Sequence, residues 1–410
     1  MDERYLSAGR AAEELGVSVA TLYAYVSRGM VRSEAVGGSK RNRRYRAEDV
    51  RRLKERKERR RDPDGVVEGV LSWGTPVMES GITLIEDGRL YYLGREVGDL
   101  ASHESIEEVA ALLWTGDETL AGELFSVHGR PASERIEAVL GSLAGMPPLE
   151  VFQVLLPLAA AEDPAAYDLR PEAVARTGAR ILRLMVAAAS GETGRGLADA
   201  LRLGWAPGEV GAGSLLDAAL VYCADHELPV STFAARCVAS SGASPYAVVL
   251  AGLAALGGVK HGGEVELVEA FLREVEMSGD ARAVISGRLR RGERIPGFGH
   301  SLYPDGDPRG AGLLDITTEA YPTSPAVRRS GTVAEEILHL MGTRPTIDFA
   351  LATLARTLSL PSGAAVALFG LGRTVGWIAH ATEQYRSNTL IRPRARYTGN
   401  QPPEATSPTP

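Results

Sequence analysis

Cysteine is nearly absent from this chain of 410 residues, which has only Cys223 and Cys237. Two thiols make no disulfide framework, so a reducing, cytoplasmic setting is expected. Histidine is scarce as well, with seven in all, and no histidine or cysteine pair has metal-ligand spacing. No metal is therefore expected. Neither a P-loop nor a dinucleotide fingerprint occurs. No basic stretch followed by an apolar one opens the chain, so no secretory signal is expected. An uncharged run of 23 residues lies between Arg236 and Lys260, but Ser240, Ser241, Gly242, Ser244 and Pro245 interrupt it. It reads as buried helix, and no membrane span is expected.

What the chain does have is divided unevenly. Residues 1–65 hold 17 Lys and Arg against 11 Asp and Glu, a charge of +6, so a total of −7 leaves −13 for the rest. A basic module joined to an acidic body is the reading that this split favours. Ser7 is placed to cap a short helix carrying Ala11, Ala12 and Leu15. Gly16 then turns the chain, and Ser18 caps a second helix with Leu22, Tyr23 and Val26. Around Gly37-Gly38 two extended runs predict a hairpin whose second arm carries Lys40, Arg41, Arg43, Arg44 and Arg46. Residues 47–61 predict a helix, and Asp62-Pro63-Asp64-Gly65 breaks it at the domain boundary. This segment resembles the winged helix-turn-helix of MerR-type regulators and excisionases. The resemblance implies double-stranded DNA as a partner, with Ser18, Thr21 and Tyr23 facing the groove and Arg41, Arg43 and Arg44 meeting phosphates.

The body, residues 66–400, predicts a small hairpin around Asp87-Gly88 and then helix after helix. Apolar residues recur at helical spacing over 106–113, 134–143, 151–161, 171–190, 197–203, 230–239, 245–256, 263–277, 325–341, 347–359 and 363–385. The last ten residues, 401–410, have no core formers and predict a disordered tail.

One irregular stretch concentrates chemistry: Ile295 to Arg309, IPGFGHSLYPDGDPR. Gly297 and Gly299 give the backbone freedom for close approach to a ligand, while Pro296, Pro304 and Pro308 rule out a continuous helix. His300 sits between them, and Arg309 offers a planar fork for a carboxylate. The stretch resembles the second histidine loop of citrate synthases. GGVKHGG (257–263) resembles their first histidine segment. Asp225-His226-Glu227 with Ser231-Thr232, PTIDF (345–349), Arg373 and Arg392 follow the family pattern in order.

The resemblance implies a mainly α fold with a large and a small domain, the small one being roughly 260–360 inserted in the large. It implies Asp348 as the base, His261 as donor to the acetyl-CoA carbonyl, and His300 as donor to the ketone of oxaloacetate. His226, Arg309, Arg373 and Arg392 would bind the 2-oxo acid, with Arg392 reaching across a homodimer. Ile295, Gly297 and Gly299 would meet acetyl-CoA, a co-substrate, with no permanently bound cofactor. His103, His128, His339 and His380 match no site motif and read as structural. The sequence departs from the pattern at Cys223, Glu264, Val265, Pro304, Ala350 and Leu351. Glu264 and Val265 stand where alanine and asparagine often follow HGG. Pro304 stands where a lysine or arginine often reaches a coenzyme A phosphate. The expected function is condensation of acetyl-CoA or a short acyl-CoA with oxaloacetate or a related 2-oxo acid. The alternatives are a DNA-binding regulator whose body senses a metabolite, and a citryl-CoA lyase.

Overall fold

The structure is a computed structural model that describes residues 5–28, 30–36, 39–51, 53, 78–126, 132–194, 196–395 and 397–400. It divides into two compact units, Met1–Glu79 and Ser80–Pro410. Most of the predicted 47–61 helix, the 62–65 breaker, His128 and the 401–410 tail lie outside the described residues.

In the first unit Ser7 caps the helix Ala8–Glu14, its hydroxyl accepting from Arg10 N. Ser18 caps Val19–Ser27 in the same way, accepting from Thr21 N at 3.2 Å. These side chains satisfy backbone donors that the first turn leaves without helical partners. Gly16, at φ 60°, makes the turn between the helices. Strands β1 (Tyr5–Ser7), β2 (Ser33–Val36) and β3 (Ser39–Arg46) form an antiparallel sheet in the order β1-β3-β2. β1 is too short to show a period in the sequence and is recognised only by its pairing. Leu6, Ala11, Leu15, Leu22, Val31, Tyr45 and Val50 make the core of this unit.

The second unit opens with the small sheet β4 (Thr83–Glu86), β5 (Arg89–Tyr92) and β6 (Arg95–Glu96), turning at Asp87-Gly88 as the sequence predicts. Helices follow. Pro171–Ser190, Pro245–Leu256 and Pro325–Met341 match their predicted bounds, each with proline in the first turn. The other predicted helices shift at their ends by a few residues. Ala212–Cys223, Ala281–Arg290 and Pro308–Ala320 were not predicted. At Pro308 the proline begins a helix instead of breaking one: Asp307 caps it, and proline at N1 lacks only a donor that had no partner.

Helix Ala364–Ser387 runs through the core and is buried along nearly its whole length. By length and composition it could cross a membrane, but its apolar window is entirely inside the protein. Two glycines let it touch the end of helix Ala212–Cys223. A Cβ at Gly372 would lie 2.5 Å from Leu220 O, and one at Gly376 would lie 2.4 Å from Ala224 O. Gly376 N instead donates to Ala224 O at 2.9 Å. That contact presses Arg373 and the Cys223–His226 turn together. A second, smaller core gathers Val268, Phe271, Leu272, Ile285, Ile295, Val333, Ile337 and Phe349.

Candidate active site

Five segments converge. The turn after Cys223 brings Asp225 and His226; the 257–263 loop brings His261. The 295–309 stretch brings His300, Tyr303, Asp307 and Arg309. The first turn of helix Ile347–Thr357 brings Asp348, and helix Ala364–Ser387 brings Arg373.

His226 is buried, and its Nε2 shares a hydrogen bond of 2.9 Å with the Tyr303 hydroxyl. Its ring lies edge-on to His300, with centroids 5.4 Å apart. Leu302 N–H donates to His300 Nδ1 at 3.2 Å, so a neutral His300 carries its proton on Nε2 and can donate from there. His261 Nε2 is bonded to Ser231 Oγ at 2.8 Å, and its ring is T-shaped to Phe369. Burial, with the nearby arginines, pushes His261 down to about 4 and lowers His226 and His300 as well. All three are neutral imidazoles near pH 7, able to donate hydrogen bonds without adding charge.

Asp348 moves the opposite way. Burial raises it to about 6, against the pull of Arg309 and a hydrogen bond from Thr346 Oγ1 to Oδ2 at 3.1 Å. A carboxylate in that range is ionised at pH 7 yet basic enough to take a proton.

The two buried arginines differ. Arg309 is held by Asp307, with Nε on Oδ1 at 2.9 Å and Nη2 on Oδ2 at 2.8 Å. Asp307 also accepts from Ile347 N at 3.1 Å, tying the arginine to the Asp348 turn. Arg373 has no such carboxylate among the described residues. Its Nε donates to Cys223 O at 2.8 Å, its guanidinium stands 5.0 Å from the Phe369 ring centroid, and its buried Nη2 has no partner among the described residues. A buried guanidinium donor without an acceptor is costly.

The 295–299 segment is held within the protein. The Gly297 N–H donates to Glu264 Oε1 at 2.8 Å, and Gly299 N–H donates to Arg344 O at 2.9 Å. Both donors are spent within the protein. Ile295 packs into the smaller core. Arg392 is exposed on the segment after helix Ala364–Ser387, and no hydrogen bond among the described residues joins it to the cluster. In the first unit, Arg44 bonds Glu34 Oε2 at 3.1 Å and lies 3.9 Å over the Tyr5 ring, so it braces the sheet. Arg43 is exposed, with Nη2 on Ser33 O at 3.0 Å. Tyr23 is 53% exposed, whereas Ser18 and Thr21 bond to each other at the cap. The Arg41 side chain lies outside the described residues.

Sequence reasoning missed Tyr303, Asp307 and Phe369. Asp307 carried a signal in its place before a proline and an arginine; Tyr303 and Phe369 carried none beyond their position near motif residues. His380 is buried as a structural residue, 3.3 Å from Asp225 Oδ2 and 3.3 Å from Arg236 Nη1.

The family model described as Citrate synthase, C-terminal domain, matches residues 69–394. The chain belongs to the citrate synthase family. A citrate synthase of Haloferax volcanii is 32% identical over 368 residues, covering 82% of this chain and 95% of that one. A 2-methylcitrate synthase of Mycobacterium tuberculosis is 32% identical over 351 residues, covering 76% and 85%. The solved structure of a citrate synthase from Thermotoga maritima superposes with a TM-score of 0.69 at 26% identity, covering 82% and 96%. The chain is accordingly an acyltransferase of citrate synthase type. Residues 6–60 match a second model, MerR HTH family regulatory protein, in keeping with the helix-turn-helix found there.

Proposed function

We propose that the chain condenses acetyl-CoA, or another short acyl-CoA, with oxaloacetate or a related 2-oxo acid, giving citrate or an analogue and free CoA. The observation that carries this reading is Arg373 Nη2, a buried cationic donor without an acceptor among the described residues, beside three neutral imidazoles and a carboxylate raised to about 6. Asp348 takes a proton from the methyl group beside the thioester, through Oδ1, since Oδ2 already accepts from Thr346. His261 donates to the thioester oxygen from Nδ1; a Ser231 hydroxyl donating to Nε2 holds the ring in that tautomer. The new carbanion equivalent attacks the ketone carbon, and His300 Nε2 donates to the ketone oxygen as it becomes a hydroxyl. Water then cleaves the thioester and releases CoA. Arg373 and Arg309 hold the carboxylates of the 2-oxo acid, with His226 fixed by Tyr303 beside them.

The same reading includes a large domain, a small domain over roughly 260–360, a homodimer in the cytoplasm, and Arg392 serving the partner's site. Arg392 is exposed and without a hydrogen-bond partner among the described residues of its own chain, which supports a role across an interface. The test is thiol release with acetyl-CoA or propionyl-CoA against a panel of 2-oxo acids. Release that depends on both substrates is expected; its absence with every pair would overturn the reading.

The match of residues 6–60 to MerR regulators favours a second reading, in which the first unit binds double-stranded DNA and the body senses a metabolite. Binding of a metabolite without thiol release would select it.

A further inference from the structure

Glu264 stands in the first turn of helix Gly263–Ser278. Its side chain is only 18% exposed. Oε1 accepts from Gly297 N–H at 2.8 Å and from Arg294 Nη1 at 3.1 Å, and Arg294 Nη2 closes the fork on Oε2. The segment so held has little room. Gly297 is at φ 80°, and a Cβ there would lie 2.6 Å from Val268 Cγ2 and 3.1 Å from Phe349 Cβ. From Gly297 the hydrogen bonds continue toward the base. Its carbonyl accepts from Thr346 N at 2.9 Å, and Thr346 Oγ1 donates to Asp348 Oδ2 at 3.1 Å. Phe298 and Pro345 bridge the same two segments.

We propose that Glu264 is a positioning residue for Asp348, fixing the proton-abstracting carboxylate through Gly297 and Thr346 and setting a second negative charge near it. The inference rests on the reading of Asp348 as the base. The groups acting on Asp348 besides burial are Arg309 and Thr346, which favour the ionised form, and Glu264 and Asp307, which oppose it. Alanine at position 264 would supply neither the latch to Gly297 nor the charge.

The test compares the parent with Glu264→Gln, Glu264→Ala and Asp348→Asn as full-length proteins. It records kcat, both KM values and melting temperature across the pH range. Glu264→Gln keeps an oxygen for Gly297 N–H but removes the charge. A carboxylate relieved of a negative neighbour loses its proton more readily, so the acid limb of the kcat profile should move to lower pH with both KM values within about twofold. Glu264→Ala should shift the limb in the same direction and also lower kcat roughly 10- to 100-fold, the scale of a misplaced catalytic group. An acid limb unmoved in Glu264→Gln overturns the inference. So does a Glu264→Ala variant with parental kcat, or one whose losses follow melting temperature and both KM values alike. Asp348→Asn separates the two failures: parental turnover there removes the base itself, whereas its inactivity beside unchanged Glu264 variants overturns only the role of Glu264.

Discussion

Replacing Arg373 with methionine separates binding from folding more cleanly than any other change at this site. Arg373 is 1% exposed, its Nε donates to Cys223 O, and Nη2 has no acceptor among the described residues. Methionine of similar length leaves Cys223 O without its donor, a loss of about 1–3 kcal/mol. It also removes a buried cation, whose desolvation costs several kcal/mol and is not repaid by any direct carboxylate contact. These terms oppose each other, so melting temperature should stay within a few degrees of the parent or rise. Binding of the 2-oxo acid should respond quite differently. Loss of one member of a buried, hydrogen-bonded charge pair typically costs about 2–5 kcal/mol, equivalent to roughly 30- to 4000-fold in affinity. The acyl-CoA should be little affected. The assay is steady-state thiol release with each substrate varied in turn, beside thermal denaturation of the unliganded protein. Arg373→Lys adds a control: it keeps the charge but loses the planar fork, and should recover only part of the loss. A parental KM for the 2-oxo acid in Arg373→Met would refute the reasoning. So would a fall in melting temperature with both KM values rising together.

Arg309→Ala should behave in the opposite sense on stability, because it strands Asp307 as a buried, unpaired carboxylate; a loss of about 3–5 kcal/mol is expected in denaturant unfolding, together with weak 2-oxo acid binding. For Asp348, raised mainly by burial to about 6, turnover needs the ionised form, so kcat should fall as pH drops through about 6. In Asp348→Asn turnover should drop by several orders of magnitude with 2-oxo acid affinity retained, as measured by isothermal titration; near-parental turnover would remove Asp348 from the chemistry. In the first unit, Arg43→Ala should lower the salt dependence of duplex binding by about one unit of log-log slope. Arg44→Ala should instead lower the melting temperature of that unit, since Arg44 braces Glu34 and Tyr5. Equal effects of the two on salt slope alone would contradict the packing described.

Sequence and tertiary structure divided the information along a physical line. What the sequence determined was local or ordered along the chain. Pro171–Ser190 and Pro325–Met341 were legible because each has proline in the first turn, a helical apolar period, and a left-handed glycine just beyond, Gly191 and Gly342. The two caps of the first unit and the Asp87-Gly88 turn were legible for the same reason: a few neighbouring side chains settle the backbone there. The ordered motifs named the family and most members of the cluster. Helix Ala212–Cys223 escaped because it is apolar nearly all round and has no side-chain cap. Only the tertiary structure decided which groups are already satisfied and which are left over. Glu264 reaches Gly297 across 33 residues, Tyr303 meets His226 across 77, and Arg373 meets Cys223 across 150. No spacing rule connects such positions. Charge state depends on the same contacts, since burial holds His226, His261 and His300 neutral and raises Asp348. The sequence therefore names the candidate groups, and desolvation and long-range hydrogen bonds set what each of them can do.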